Sequence, residues 1–509
     1  MVCLGAGDWL PDCGGRGTVQ PLSNVHLEEP MADRPNLVFI IADDHRGTEL
    51  GHLGSQAATP HLDALAARGV SFRQAHCQGG MHGAICVPSR SSVLTGRNIF
   101  ASATDPTGLD FTGSHTIPET LATFPQALRE AGYRTHAVGK WHNDVASFRR
   151  SFQTGEALMF GGMSDHYHVP VQAWDAAAGD EVIAPEPPGG TRPSREDVDP
   201  STSDLDHFST NLFANAANRF LEDTRDDGAP FLLYVAFTAP HDPRTPPPGW
   251  EVDPAMVALP PNLLPEHPFD NGDLRVRDEL LAPFPRDPDV VRGHIADYYG
   301  MIAHLDDGVG RILATLDRLG LADDTVVIYT ADHGLSVGQH GLMGKQNVYE
   351  HSQRIPLVMA GPGIPAGDVS DGLVWHGDTT ATIRKATGLG ADLLAEGVSL
   401  IDDSGAVDAP RTTHGGAYEQ TQRTWREGDH KLIIYRPAVT EKRPGSTPGT
   451  RMTQLFDLAA DPWEMHSLAG QPAYADLEAH LMAGLRTWQE QVDDPFRAAF
   501  AGAPGNELE

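Results

Sequence analysis

The stretch NLVFIIADD, residues 36–44, decides how this chain is read. Its first seven residues form an unbroken apolar run, which predicts a strand buried on both faces. Two aspartates follow at once. The arrangement recurs downstream: YRTHAVG (133–139) runs into Lys140, Trp141 and His142, FLLYVAFTA (231–239) reaches His241 and Asp242, and TVVIYT (325–330) reaches Asp332, His333 and Gly334. Helical patterns alternate with these runs, at 59–69, 124–132, 208–223 and 297–320. The first has Thr59 as N-cap, Pro60 in its first turn and Gly69 closing it. One more strand is expected at 355–361. This rhythm predicts an α/β fold with a mostly parallel central sheet flanked by helices. In such sheets ligands bind beyond the carboxyl ends of the strands. Carboxylates, imidazoles and a lysine are therefore delivered to one edge.

Residues 171–207 and 243–290 are rich in Pro, Asp and Gly and read as loops over the top of that sheet. After about residue 390 the pattern changes to short antiparallel strands (GGAYEQ, TWREGDHKLIIYR, TQLFDLAADPWE) and a helix at 473–492. The expected organisation is a disordered extension over 1–32, or a start at Met31, then a large domain over 33–390 and a small α+β domain with an antiparallel sheet over 391–509.

A formal net charge of −32 argues against nucleic acid and anionic membranes as partners. An anionic substrate then needs a locally built site. Only five of the 37 basic residues are lysine (Lys140, Lys345, Lys385, Lys431, Lys442), so each carries more information than usual. Cys3, Cys13, Cys77 and Cys86 are too few for a disulfide framework. No apolar run is long enough to span a membrane, and the N-terminus lacks the pattern of a signal peptide. A cytoplasmic protein with free thiols is expected.

Asp43, Asp44 and Asp332 supply enough oxygen donors for a hard divalent cation. In HGAICVPSRSSVLTGR (82–97), Pro88 suits a first helical turn and Gly96 a C-terminal cap. Cys86 then sits at a helix N-terminus, where backbone N–H groups favour an anionic nucleophile or a bound oxyanion.

CVPSRSSVLTGR resembles the signature of the type I sulfatases, Cys-x-Pro-Ser-Arg followed by Leu-Thr-Gly. The resemblance runs on through NLVFIIADD, TPHLDALAARGVSF, GYRTHAVGKWH, AFTAPHDP, the long motif from YTADHG to MAGPG, and QLFDLAADPWE, covering roughly residues 35–490. It implies an alkaline-phosphatase-like large domain and a sulfuric ester hydrolase. A maturation enzyme of that family converts the cysteine to Cα-formylglycine, whose hydrate is the nucleophile. Carried over, Asp43, Asp44, Asp332 and His333 bind the metal with residue 86 adding an oxygen. Arg90 holds the hydrate, Lys140, His241 and Lys345 grip the sulfate, and His142 bonds to a hydroxyl of the hydrate. The usual ion is Ca²⁺. His333 stands where many members carry Asn, which makes Mn²⁺ a competitor. Val87 also departs from the commoner Ser, Thr or Ala, while Cys-x-Pro-x-Arg is intact.

The polar loops favour a hydroxylated leaving group, hence a sulfated carbohydrate. Asp165, His166, His168, Asp242, Arg244 and His340 (with Gln339) are candidates to contact it, against a reading as loop anchors. Trp425, Tyr418 and Gln420 read as core packing before pocket lining. Alternatives are a phosphonate monoester or phosphodiester hydrolase, a choline sulfatase, and an inactive protein that binds anionic glycans. Oligomeric state is not legible.

Overall fold

The computed structural model describes residues 34–501 except 106–115, 178–204, 225–227, 391–392, 394 and 440–443. The expected N-terminal extension, with Cys3 and Cys13, lies outside the described residues.

The described strands are, in chain order, β1 (Asn36–Ala42), β2 (Gly69–His76), β3 (Gly79–Gly80), β4 (Arg134–Lys140), β5 (Thr154–Met159), β6 (Gln172–Asp175) and β7 (Phe231–Ala236). They continue with β8 (Thr325–Ala331), β9 (Leu357–Ala360), β10 (Asp368–Trp375), β11 (Thr413–Tyr418), β12 (Gln422–Glu427), β13 (His430–Tyr435) and β14 (Met452–Asp457). Nine form one sheet in the order β10-β2-β9-β8-β1-β7-β4-β5-β6. β8, β1, β7, β4 and β5 run parallel. β9 is antiparallel to both its neighbours and β6 is an antiparallel edge. The mostly parallel α/β sheet read from the sequence is therefore present, with β1 at its middle and buried along nearly its whole length. The helices Pro60–Ala67, Ser209–Thr224 and Pro288–Leu319 bury their apolar faces in the surrounding layers. The last begins nine residues before its expected start at 297, because Asp287 caps it through Asp289 N and Val290 N and Pro288 fits its first turn.

A second sheet has the order β14-β13-β12-β11-β3. Its first four strands are antiparallel, and the helix Ala475–Gln491 packs on β12 and β13. β3 belongs to the N-terminal part of the chain and pairs in parallel with β11 through Gly79 and Gly80. Only glycine fits there. A Cβ on Gly79 would lie 2.3 Å from Ala417 O, and one on Gly80 2.1 Å from Pro88 Cγ. The second sheet is thereby pressed against the helix that carries Cys86. Trp425 and Tyr418 are buried in the cores beneath it, in line with the packing reading.

Arg423 and Asp494, both fully buried, hold the C-terminal residues to this sheet. Two guanidinium N–H groups reach the carboxylate at 2.7 and 2.8 Å, and others donate to Glu419 O and Gln422 O. Arg423→Ala leaves the Asp494 carboxylate buried without its counter-charge, with Gln489 Nε2 and Phe496 N as donors, so a loss of about 3 kcal/mol is expected in urea unfolding.

Candidate active site

Three of the predicted strand ends meet. Asp43 N donates to Ala239 O and Asp332 N to Ala42 O, so the β1, β7 and β8 ends are stitched together just where their functional residues begin. Asp44 adopts φ 70°, turning the chain sharply, and its N–H reaches Asp332 Oδ1 at 3.3 Å. At the end of β4, Gly139 has φ 88°, and a Cβ there would lie 2.0 Å from Ala236 O. That close approach to β7 brings Lys140 to Asp43, which its Nζ contacts directly, and to Gly162 O at 2.7 Å.

Cys86 is the first residue of the helix Cys86–Thr95, which ends at Gly96 with φ 66°. All ten helical residues are buried. Cys86 Sγ lies 3.1 Å from His333 Nε2, 3.2 Å from Lys345 Nζ and 3.5 Å from Asp43 Oδ1. Arg90, one turn on, is fully buried. Its Nε donates to Asp332 Oδ2 at 2.9 Å and its Nη1 to Lys140 O at 3.1 Å, so it props two functional residues from beneath. Lys345 Nζ also donates to Asp44 Oδ1 at 2.8 Å.

The donor set suits a hard divalent cation. Donor atoms of Asp43, Cys86, Asp332 and His333 lie within 4.8 Å of one another, as do those of Asp43, Asp44, Cys86 and His241. His241 in this second cluster is an addition that its motif position did not reveal. His333 Nδ1 donates to Gly334 O at 2.9 Å, which turns Nε2 and its lone pair toward the centre.

Burial would raise the carboxyl pKa of Asp43, but Lys140, His241 and Arg90 outweigh it and hold the group well below the usual carboxylate range. Burial, reinforced by Asp43, pushes the Cys86 thiol far up. Within the field of the protein's own groups the helix N-terminus does not outweigh this, and the pocket does not favour a thiolate at residue 86. Burial and Lys140 keep His142 neutral, well below its usual range, and its Nδ1 has no hydrogen-bond partner among the described residues.

These residues open onto a cleft of about 360 Å³. Cys86, His142, His241 and Lys345 line it together with Met163, Val276, Arg277, Asp278 and Gln346. Arg277, Asp278 and Gln346 escaped the sequence reading because they lie in segments without periodicity. The expected substrate contacts are placed differently. Asp165 accepts from Tyr167 N, His168 N and His168 Nδ1, and His168 is exposed. His166 bridges Ser209 Oγ and His241 O. His340 stacks on Tyr349 at 4.1 Å and meets Asn262, and Arg244 lies over the Tyr298 ring. Asp165, His166 and His340 thus bond within and between loops, and none of the five is among the residues lining the cleft. Asp242 stands behind His241, held by Arg277.

The Sulfatase family profile matches residues 35–389. The ulvan-active sulfatase of Formosa agariphila is 26% identical over 479 residues, 92% of this chain and 84% of that protein. The N-acetylglucosamine-6-O-sulfatase of Bacteroides thetaiotaomicron is 24% identical, over 91% of this chain and 87% of that one. In fold, the chain resembles the solved phosphonate monoester hydrolase of Agrobacterium radiobacter, with TM-score 0.66 and 20% identity over 90% of this chain and 96% of that one. Among the described residues no helix is long and apolar enough to cross a membrane. With its strand-end carboxylates, its buried Cys86 helix and a family match across most of its length, this chain belongs to the type I sulfatase family of the alkaline phosphatase superfamily.

Proposed function

We propose that the protein hydrolyses the sulfate ester of a carbohydrate-class alcohol, releasing the alcohol and inorganic sulfate, with residue 86 as formylglycine and a divalent cation held by Asp43, Asp44, Asp332 and His333. One observation carries the reading: Lys345, His333 and Asp43 converge within 3.5 Å of Cys86 Sγ at the floor of an open cleft. The two curated relatives, named for ulvan and for N-acetylglucosamine-6-O-sulfate, support a carbohydrate.

The cation supplies Lewis-acid stabilisation of charge, and the oxidised residue supplies two hydroxyls on one carbon, one to attack and one to release the product. The chain's own residues do the rest. Three carboxylates (Asp43, Asp44, Asp332) face three fixed cations (Arg90, Lys140, Lys345) and balance them, so a divalent cation leaves the site positive toward an anionic ester. Lys140 and Lys345 take the sulfuryl oxygens, as lysines do in phosphoryl transfer. His241 donates Nδ1–H to Asp242 O at 2.8 Å, which aims Nε2 at the site. From there it holds the ester or protonates the departing alcohol. His142, neutral, on the same cleft as Cys86 and with Nδ1 unpartnered among the described residues, takes a proton from residue 86 in this reading. Since Cys86, Pro88 and Arg90 are all buried, the maturation enzyme must read them before the chain folds.

Among the described residues lining the cleft there is no Phe, Tyr or Trp, so no aromatic cage for choline's ammonium is found there. A phosphonate monoester or phosphodiester reading keeps one support, the imidazole of His333 among the carboxylates, which softens the cation site. A screen of matured protein on sulfated monosaccharides, 4-nitrophenyl sulfate and bis(4-nitrophenyl) phosphate separates the two. The expected result is a higher kcat/KM on sulfate esters, highest on a sulfated sugar. Faster turnover of the phosphodiester overturns the proposal.

A further inference from the structure

His241 and Lys345 lie on loops far apart in sequence, and both loops are tied to one short segment, the 3-10 turn Arg277–Leu281. Arg277 forks onto Asp242, with Nη1 to Oδ2 at 2.5 Å and Nη2 to Oδ1 at 2.8 Å. The carbonyl of that same Asp242 accepts His241 Nδ1. Asp278 accepts from Arg277 Nε at 2.9 Å and from Gln346 Nε2 at 2.5 Å, while Gln346 Oε1 accepts the backbone N–H of Lys345 at 3.0 Å. Glu279, 2% exposed, accepts from Met343 N at 2.8 Å and Gly344 N at 3.0 Å. Arg286 Nη2 completes it at 2.6 Å and donates through Nε to Gly341 O, pinning the same loop further back. The fit is close: a Cβ on Gly344 would lie 2.9 Å from Asp278 Cβ and 3.0 Å from Glu279 Oε1.

Three consecutive side chains thus commit hydrogen bonds to the two loops that bring the His241 imidazole and the Lys345 ammonium to the cleft beside Cys86. A buried carboxylate is a costly way to hold a loop if packing alone is needed. It makes sense where a side chain as flexible as lysine must be fixed within a fraction of an ångström.

We propose that Arg277, Asp278 and Glu279 are positioning residues, a splint that fixes the His241 imidazole relative to the Lys345 ammonium across the cleft. This rests on the reading that these two groups grip the transferred anion. Arg277 acts through Asp242 on His241, Glu279 acts through residues 343–344 on Lys345, and Asp278 joins the two arms.

Double-mutant cycles test it, because they separate action through a named partner from general loss of structure. Glu279→Gln keeps an acceptor of the same shape and weakens the clamp. It is expected to lower kcat/KM on 4-nitrophenyl sulfate about 10- to 100-fold, the scale of a misplaced catalytic group. In a Lys345→Ala background that effect should shrink to within about twofold, as expected for residues acting as one unit. Arg277→Met, at a partly exposed position, should lose its effect in His241→Ala and keep it in Lys345→Ala. Dissociation constants for inorganic sulfate, read by calorimetry, should follow the same pattern. Multiplicative effects in every background, or effects that merely track a falling Tm, overturn the splint. If the wild type hydrolyses the sulfate ester and the cycles are additive, the splint fails and the function stands. If it hydrolyses no sulfate ester and the sulfate-binding cycles are non-additive, the function fails and the splint stands.

Discussion

Cys86→Ala is expected to lower turnover of a sulfate ester by about 10⁴-fold or more, the scale seen when a nucleophile is removed and the charge-stabilising groups remain. The fold should survive, because the change removes only the end of one short buried side chain, a loss of about 1–2 kcal/mol of packing. Lys345, His333 and Asp43 lose one neighbour but keep Asp44, Gly334 O and Lys140 respectively. Binding of inorganic sulfate should fall far less than turnover. Cys86→Ser separates nucleophile from release. A single hydroxyl can attack sulfur and expel the alcohol, yet it has no geminal partner to expel sulfate. The variant should therefore take up one sulfuryl group per chain, visible by mass spectrometry, and then stop. A Cys86→Ser protein with sustained turnover contradicts the role given to oxidised residue 86.

Chelation of the cation has the second largest expected effect. Asp43, Asp44, Asp332 and His333 are all buried, and their donor atoms fall in two overlapping clusters that share Asp43 and Cys86. Dialysis against a chelator should reduce turnover by at least about 10²–10³-fold, the range for losing a principal source of charge stabilisation. It should also lower Tm, because an ion bound only by the folded chain adds about 4 kcal/mol at a thousandfold excess over Kd. Re-addition distinguishes Ca²⁺ from Mn²⁺. His333→Asn exchanges a nitrogen donor for an oxygen donor and should shift the relative recovery toward Ca²⁺. Equal turnover and equal Tm with and without chelator contradict the assignment of these four residues.

The sequence made the centre of the fold legible because β1, β7 and β8 are buried on both faces and so leave continuous apolar runs. β2 and β10 were missed because they carry Arg, Gln, Ser and Asp on faces open to solvent. β9 was placed as a strand, but its antiparallel direction depends on how the chain returns through residues 332–356, which periodicity does not encode. At the site, residues immediately after strand ends could be gathered because strand direction alone sends them to one edge. Residues in loops could not. Asp165, His166 and His340 look like substrate contacts by type, yet His and Asp also staple loops, and here each has a partner within the protein. Arg277, Asp278 and Glu279 gave no signal, since their meaning lies in contacts with residues 242 and 343–346.

The central claim is that Cys86 is the precursor of the working nucleophile. Mass spectrometry of the tryptic peptide 74–90, from protein made in its native host and alkylated before digestion, tests it directly. The account predicts a residue 86 that has lost sulfur and two hydrogens, gained one oxygen and escaped alkylation. An intact, alkylated thiol in protein that turns over its ester at full rate contradicts it.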